Sequence, residues 1–69
     1  MDKIFKLVVN FSDGSDEIFP RIYFDESKAT EKAKAIFNAD DECVSVRIYT
    51  EMPDAETGSF MTRTWIDIK

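Results

Sequence analysis

The sequence contains no histidine and a single cysteine, Cys43, and these two shortages exclude several kinds of chemistry. Without histidine the chain has no imidazole to act as a general base, as the partner of a nucleophile or as a metal ligand. One cysteine allows no disulfide within the chain and is typical of a protein of the reducing cytoplasm. The sequence therefore predicts a non-catalytic protein that holds neither a metal ion nor another cofactor.

Glycine and proline are also scarce, with two of each. The two glycines lie far apart, so the chain lacks the glycine-rich loop that binds phosphate in many nucleotide-binding proteins. No stretch approaches the roughly 18 apolar residues of a membrane span, and no apolar signal segment precedes the first predicted strand. We therefore expect one cytoplasmic domain, residues 1–69, without membrane contact.

One stretch, residues 25–39, has its apolar residues at helical spacing, and either Asp25 or Ser27 can cap its N-terminus. The apolar residues follow the pattern i, i+4, i+7 and i+8 along one helix face: Ala29, Ala33, Ile36 and Phe37. The segments around this helix alternate apolar and polar residues as β-strands do. The predicted strands cover residues 3–11, 16–24, 42–51 and 59–68.

The resulting order ββαββ predicts an α+β fold, a two-layer sandwich with one helix on one face of a four-stranded sheet. Asp13 and Gly14 indicate a tight turn between the first two strands. Pro20 has no N–H, which places the second strand at an edge or at a bulge. If both hairpins pair internally around a central first strand, the strand order is 2-1-4-3, the β-grasp arrangement, with strands two and three parallel. A meander, 1-2-3-4, is the alternative.

The strand alternation also predicts which residues face the helix and form the core: Phe5, Leu7, Val9, Phe11, Ile22, Ala33, Ile36, Phe37, Val46, Ile48 and Ile66. The opposite sheet face then carries four cations, one per strand, together with Phe19, Tyr23, Tyr49, Met61 and Trp65. Arginine stacked on aromatic rings is a common cover for an open sheet face, but such residues also bind partners or stack on bases. An alternative site for a partner, a nucleic acid or a second copy of the chain comprises Arg21, Tyr23, Arg47, Tyr49, Arg63 and Trp65.

The net charge is −5, and most of the acidic residues cluster at predicted turns and strand ends. Nine of them are the first candidates for partner binding: Asp13, Asp16, Glu17, Asp40, Asp41, Glu42, Glu51, Asp54 and Glu56. Acidic turns also occur in many small domains simply because turns are solvated. The functional interpretation is a negative surface that imitates a phosphate backbone and enters a basic groove of a protein. The same net charge argues against direct nucleic-acid binding, and the spacing around Gly14 does not match a calcium-binding EF-hand loop.

The chain resembles two kinds of known protein. The ββαββ order and the segment ATEKAKAIFNADDE resemble the immunoglobulin-binding domains of protein G, which implies the β-grasp fold. A second resemblance, to the small acidic phage proteins that include anti-CRISPR inhibitors, rests on the segments EKAKAIF and CVSVRIYT, a glycine-containing turn and TWID. It implies a stoichiometric, non-catalytic inhibitor in the cytoplasm of a host bacterium, present as a monomer or a homodimer. Its partner would be a host protein with a basic surface, such as a CRISPR effector, whose DNA access or conformational change it blocks.

Overall fold

The computed structural model describes residues 3–69, with the exception of the side chain of Arg63. Within that range the chain forms one helix and four strands in the order ββαββ. The elements are β1 (Ile4–Phe11), β2 (Asp16–Tyr23), α1 (Glu26–Ala39), β3 (Cys43–Pro53) and β4 (Phe60–Ile68). The predicted α+β class and the predicted order of elements are confirmed.

The sheet has the strand order β2-β1-β3-β4, and all neighbouring strands are antiparallel. The β-grasp order 2-1-4-3 is therefore wrong, because β1 pairs with β3 rather than with β4. The meander 1-2-3-4 is also wrong, because the inner neighbour of β3 is β1 and not β2. β2 and β3 still run in the same direction, since both are antiparallel to the strand between them, and α1 connects them. This order places β1 and β3 side by side, and these two strands supply most of the buried residues of the sheet. The more polar β4 lies at an edge.

The helix begins where the sequence contains an N-cap. The carboxylate of Asp25 accepts a hydrogen bond from the N–H of Ser27 at 2.9 Å, so Asp25 is the cap of the two candidates. The helix ends at Ala39, and the following residue, Asp40, is in an extended conformation with φ −123°. Ala29 and Ala33 are completely buried, and their small side chains let the helix approach the sheet closely.

The core lies between α1 and the two central strands. Its buried residues form one cluster: Phe5, Leu7, Val9, Ala29, Ala33, Cys43, Val46 and Ile48. The predicted core residues Phe11, Ile36 and Phe37 are half-buried and pack at the margin of this cluster. The prediction fails for two others: Ile22 lies on the other face and is 42% exposed, and Ile66 shares the face of the buried Ile48 but is 45% exposed on its edge strand.

The prediction for β2 was wrong about which of its faces meets the helix. Tyr23 pairs with the buried Phe5. Ile22 instead pairs with Lys6 on the open face, which is the face of the sheet away from the helix. Because residues directly opposite in a sheet share a face, Tyr23 lies on the helix side and Ile22 does not. Phe19, also predicted for the open face, packs with Tyr23 against the core.

The register set by the hairpin turn causes this reversal, because it pairs Asn10 with Asp16 and Val9 with Glu17 and so places the odd-numbered residues of β2 on the helix side.

β2 also contains a break in register around Pro20, which leaves its faces unchanged because Ile18 and Ile22, on either side of it, share the same face. Lys6 and Val8 are two residues apart on β1, but their partners Ile22 and Ile18 are four residues apart on β2. Pro20 lies within that extra length, and β2 is an edge strand, so the prediction made from this proline is confirmed in both respects.

A smaller irregularity marks the beginning of β3. Asn10 pairs with Ser45, but the next residue of β1 pairs with Cys43, so Val44 is an extra residue on β3. Val44 is 50% exposed and Cys43 occupies the core position in its place. A strict alternation would place Val44 on the same face as Val46 and Ile48, and this bulge breaks that alternation.

Candidate functional site

The hairpin between β1 and β2 holds the first acidic cluster in a defined turn. Gly14 has φ +89°, a conformation that glycine adopts without strain, and its N–H donates to the carbonyl of Phe11 at 3.1 Å. The side chain of Asp13 accepts hydrogen bonds from the hydroxyl and the backbone N–H of Ser15, and these lower the pKa of Asp13. The turn therefore carries an ionised carboxylate at neutral pH.

A second acidic cluster lies beside this turn because of the pairing between β1 and β3. The last residue of β1, Phe11, pairs with Cys43, and the N–H of Ser12 donates to the carbonyl of Glu42 at 2.8 Å. Six exposed acidic residues from three chain segments consequently share one end of the sheet. This acidic end comprises Asp13, Asp16, Glu17, Asp40, Asp41 and Glu42.

The acidic end also coincides with the C-terminus of α1. A helix presents partial negative charge there, and basic residues in the last turn normally compensate it. The last turn of α1 contains no basic residue, and Asp40 and Asp41 follow it directly. Both carboxylates oppose the helix dipole and each other, while Asp40 also accepts a hydrogen bond from the backbone N–H of Glu42 at 2.9 Å.

An apolar groove of about 180 Å³ lies between α1 and β2 at this end. Its lining consists of Val9, Phe11, Glu17, Phe19, Pro20, Ile36 and Asp40. Five of these residues are apolar, while Glu17 and Asp40 supply carboxylates. Such a lining suits the side chain of lysine or arginine, which has an apolar stem and a charged head.

The three remaining candidate acids lie at the opposite end of the sheet. Glu51 forms an ion pair with Lys6 at 3.5 Å on the open face. Asp54 and Glu56 belong to the turn between β3 and β4, where the side chain of Asp54 accepts from the N–H of Glu56 at 2.9 Å. The length of β3, at about 3.3 Å per residue, separates them from the acidic end by about 30 Å. The nine predicted acids thus form two separate groups.

Three of the six residues of the alternative, sheet-face site lie together on the open face: Arg47, Tyr49 and Trp65. Arg47 donates two hydrogen bonds to Asp67, at 2.6 and 3.0 Å, and its guanidinium lies 5.4 Å from the centre of the Trp65 ring. The rings of Tyr49 and Trp65 are 6.4 Å apart and tilted by 54°. The hydrogen bonds raise the pKa of Arg47 and lower that of Asp67, so both are charged and neutralise each other.

The other three alternative candidates do not join this cluster. Tyr23 packs against the core, and the guanidinium of Arg21 lies 5.3 Å from the centre of the Tyr23 ring. The side chain of Arg63 lies outside the described residues. Among the described side chains, the cations Lys6 and Arg47 of the open face are each bound to a carboxylate, which leaves that face with little net positive charge.

Sequence reasoning missed the groove because it placed Phe19 on the open face. The signal that could have revealed it is the tight turn at Asp13 and Gly14, because the turn fixes the register of the hairpin and hence the face of β2 that meets the helix. Cys43 is buried, its Sγ lies 3.4 Å from the carbonyl oxygen of Ser45, and burial raises the pKa of its thiol. This cysteine is a core residue rather than a reactive nucleophile.

The described part of the chain contains no group of three or more acidic, cysteine or histidine side chains placed to hold a metal ion. In residues 3–69 there is also no helix with the length and hydropathy to cross a membrane. Comparison of the chain with protein-family models, with curated proteins and with solved structures finds no match.

Proposed function

We propose that the protein is a non-catalytic inhibitor that binds a basic, nucleic-acid-binding surface of another protein through its acidic end. One observation carries the proposal: six exposed carboxylates meet at one end of the molecule, beside an apolar groove. Surfaces that bind nucleic acid contact phosphates with lysine and arginine, and an array of carboxylates presents the same sign of charge to them. In keeping with the resemblance to anti-CRISPR inhibitors, we propose a CRISPR effector of the bacterial cytoplasm as the partner.

Binding would begin with attraction between the acidic end and the basic surface. Complementary charge raises the association rate, by tenfold to about a thousandfold in steered complexes. In the complex, the stem of a lysine or arginine packs against Phe19 and Ile36 in the groove, and its charged head lies between Glu17 and Asp40. The partner's groove is then occupied, and nucleic acid is excluded by competition without any chemical step.

The alternative function, nucleic-acid binding on the open sheet face, has less support. Of the side chains that the structure describes on that face, Arg47 and Lys6 are the cations available to bind phosphate. Asp67 already binds Arg47, and Glu51 already binds Lys6. A gel shift with single-stranded DNA and RNA at low salt tests this alternative directly. A shift that disappears when Arg47 and Trp65 are replaced by alanine would favour it over the inhibitor proposal.

The experiment that tests the inhibitor proposal compares two triple variants with equal charge. The first variant, Asp40→Asn, Asp41→Asn and Glu42→Gln, neutralises part of the acidic end. The second, Glu51→Gln, Asp54→Asn and Glu56→Gln, changes the net charge by the same amount at the other end. In a pull-down against purified bacterial CRISPR effectors, followed by rate measurements, we expect the first variant to associate at least about tenfold more slowly. The second should retain most of the original rate.

Two results would count against the proposal. Equal losses in both triple variants would indicate a general effect of net charge and not a site at the acidic end. Recovery of no effector even at low salt, where the electrostatic attraction is strongest, would remove the proposed class of partner. Circular dichroism of both variants shows whether each one is folded.

A further inference from the structure

β4 is exposed along its edge and on both of its faces. It lies at the end of the strand order, and in residues 3–69 no strand pairs with its outer side. Trp65 pairs with Tyr49 on the open face and is 56% exposed, whereas Ile66 pairs with the buried Ile48 on the helix side and is 45% exposed. Apolar residues on both faces are typical of strands inside a sheet, and edge strands normally avoid them.

We propose that β4 pairs with β4 of a second copy of the chain in an antiparallel, two-fold symmetric dimer. This inference is independent of the acidic end and of the proposed function. The pairing segment is residues 64–68, which oppose residues 46–50 of β3 in regular one-to-one register. Immediately before this segment the pairing of β4 with β3 is irregular, because Thr50 pairs with Thr64 but Glu51 pairs with Thr62. The proposed pairing between the two copies is therefore limited to residues 64–68.

A two-fold axis at Ile66 gives complementary pairs along the whole segment. Ile66 lies opposite the partner's Ile66, Thr64 opposite the partner's Ile68, and Trp65 opposite the partner's Asp67. The two symmetry-related Ile66 side chains then cover each other on the helix side of the sheet. Antiparallel pairing of β-branched residues in this way is favourable in sheets.

The neutral charge of this edge favours pairing with a second copy of the same segment. The guanidinium of Arg47 lies over the Trp65 ring and binds Asp67 of its own chain. Asp67 is the one ionisable residue in the segment 64–68, and Arg47 of the same chain already neutralises it. Two copies of the segment can therefore pair without repulsion between their charges.

The antiparallel arrangement also keeps the acidic ends of the two copies apart. The end of β4 at Ile68 pairs with Val46 and lies toward the acidic end of its own chain. Antiparallel pairing places the Ile68 of one copy beside the Thr64 of the other. The two acidic ends therefore point in opposite directions, and their mutual repulsion is small.

The other sheet edge is protected against such pairing. β2 contains Pro20, which offers no N–H, and its register is broken over the residues around that proline. It also begins with two acidic residues, Asp16 and Glu17. The asymmetry between the edges assigns one pairing edge to each chain, so assembly closes at a dimer.

The test is the concentration dependence of mass, measured by sedimentation without any partner protein. A five-residue ladder is a small interface, so we expect monomer at about 5 µM and a substantial fraction of dimer at about 500 µM.

Ile66→Lys and Thr64→Lys place a charge on the edge strand, and we expect both variants to stay monomeric. Ile18→Lys is the matched control, because Ile18 is also an exposed strand residue, 70% accessible, but lies on β2. It should dimerise like the original protein.

Hydrogen exchange provides a second measurement that needs no variant. Dimerisation through β4 should slow exchange of the backbone amides of residues 64–68 that point away from β3, and only at high concentration. The inference is overturned if the protein is monomeric throughout the range or grows beyond a dimer. It is also overturned if Ile18→Lys abolishes the dimer while Ile66→Lys and Thr64→Lys leave it intact, since that pattern indicates stacking through the open sheet faces.

Discussion

At the scale of single residues, Leu7 shows most clearly how burial decides the effect of a substitution. Leu7 is fully buried on β1, opposite Ile48, which is 1% exposed. Ile18 is an aliphatic residue of similar size on the neighbouring strand, but it is 70% exposed. The two positions therefore separate the contribution of packing from that of β-strand propensity.

Leu7→Ala should lower the free energy of unfolding by about 2–5 kcal/mol, since it removes buried methyl groups and leaves a cavity. A core of this size supplies only about 3–5 kcal/mol of net stability, so the variant should be largely unfolded at ordinary temperature. Ile18→Ala should change stability by no more than about 0.5 kcal/mol. Urea denaturation followed by circular dichroism measures both values. Similar losses for the two variants would mean that the faces of β1 and β2 are assigned incorrectly.

At the scale of elements, the N-terminus of α1 depends on one ionised side chain. Ser27 donates hydrogen bonds to Asp25 from its hydroxyl and its backbone N–H, and these lower the pKa of Asp25 below its ordinary value of 3.8. A carboxylate with a lowered pKa stabilises the folded state above its ordinary pKa. That stabilisation is lost as the pH falls through the lower, folded-state pKa.

We therefore expect the melting temperature of the protein to fall when the pH is lowered below about 4, and Asp25→Asn to reduce this dependence. Asparagine keeps a cap oxygen but cannot be protonated in this range, whereas Asp25→Ala loses the cap at every pH. Asp41→Asn is the control, because Asp41 lies at the opposite end of the helix. Thermal melts at neutral and acidic pH measure the difference. An equally steep acid dependence in Asp25→Asn and the original protein would contradict this role for the cap.

At the scale of the whole molecule, the charge distribution costs stability at one end. Six carboxylates and the C-terminus of α1 share that end, where like charges repel and the helix dipole disfavours acids. Asp40→Asn, Asp41→Asn and Glu42→Gln together should therefore raise the melting temperature by a few degrees at low salt. The advantage should shrink at 1 M salt, where the screening length is about 3 Å. A lower melting temperature in this variant would show that the acidic end contributes to the fold itself.

The sequence by itself determined the class of the fold and most of its local features. The spacing of Ala29, Ala33, Ile36 and Phe37 predicts the helix, and the alternation around it predicts the four strands. Gly14 and Pro20 also acted as expected, because their backbone restrictions are properties of the residues themselves. The absence of histidine limits the chemistry of the chain in any fold.

Only the tertiary structure decided the strand order, the inner face of β2 and the grouping of the acidic residues. Strand order depends on which strands bury each other's side chains over long distances in the chain, and local alternation carries no such information. The register of the first hairpin turns the more apolar face of β2 away from the helix, and one extra residue at Val44 moves Cys43 into the core. The pairing of β1 with β3 brings two acidic turns to one end of the sheet and leaves β4 with a free edge. Both proposed binding surfaces follow from that pairing, which is why the residue pattern alone could not locate them.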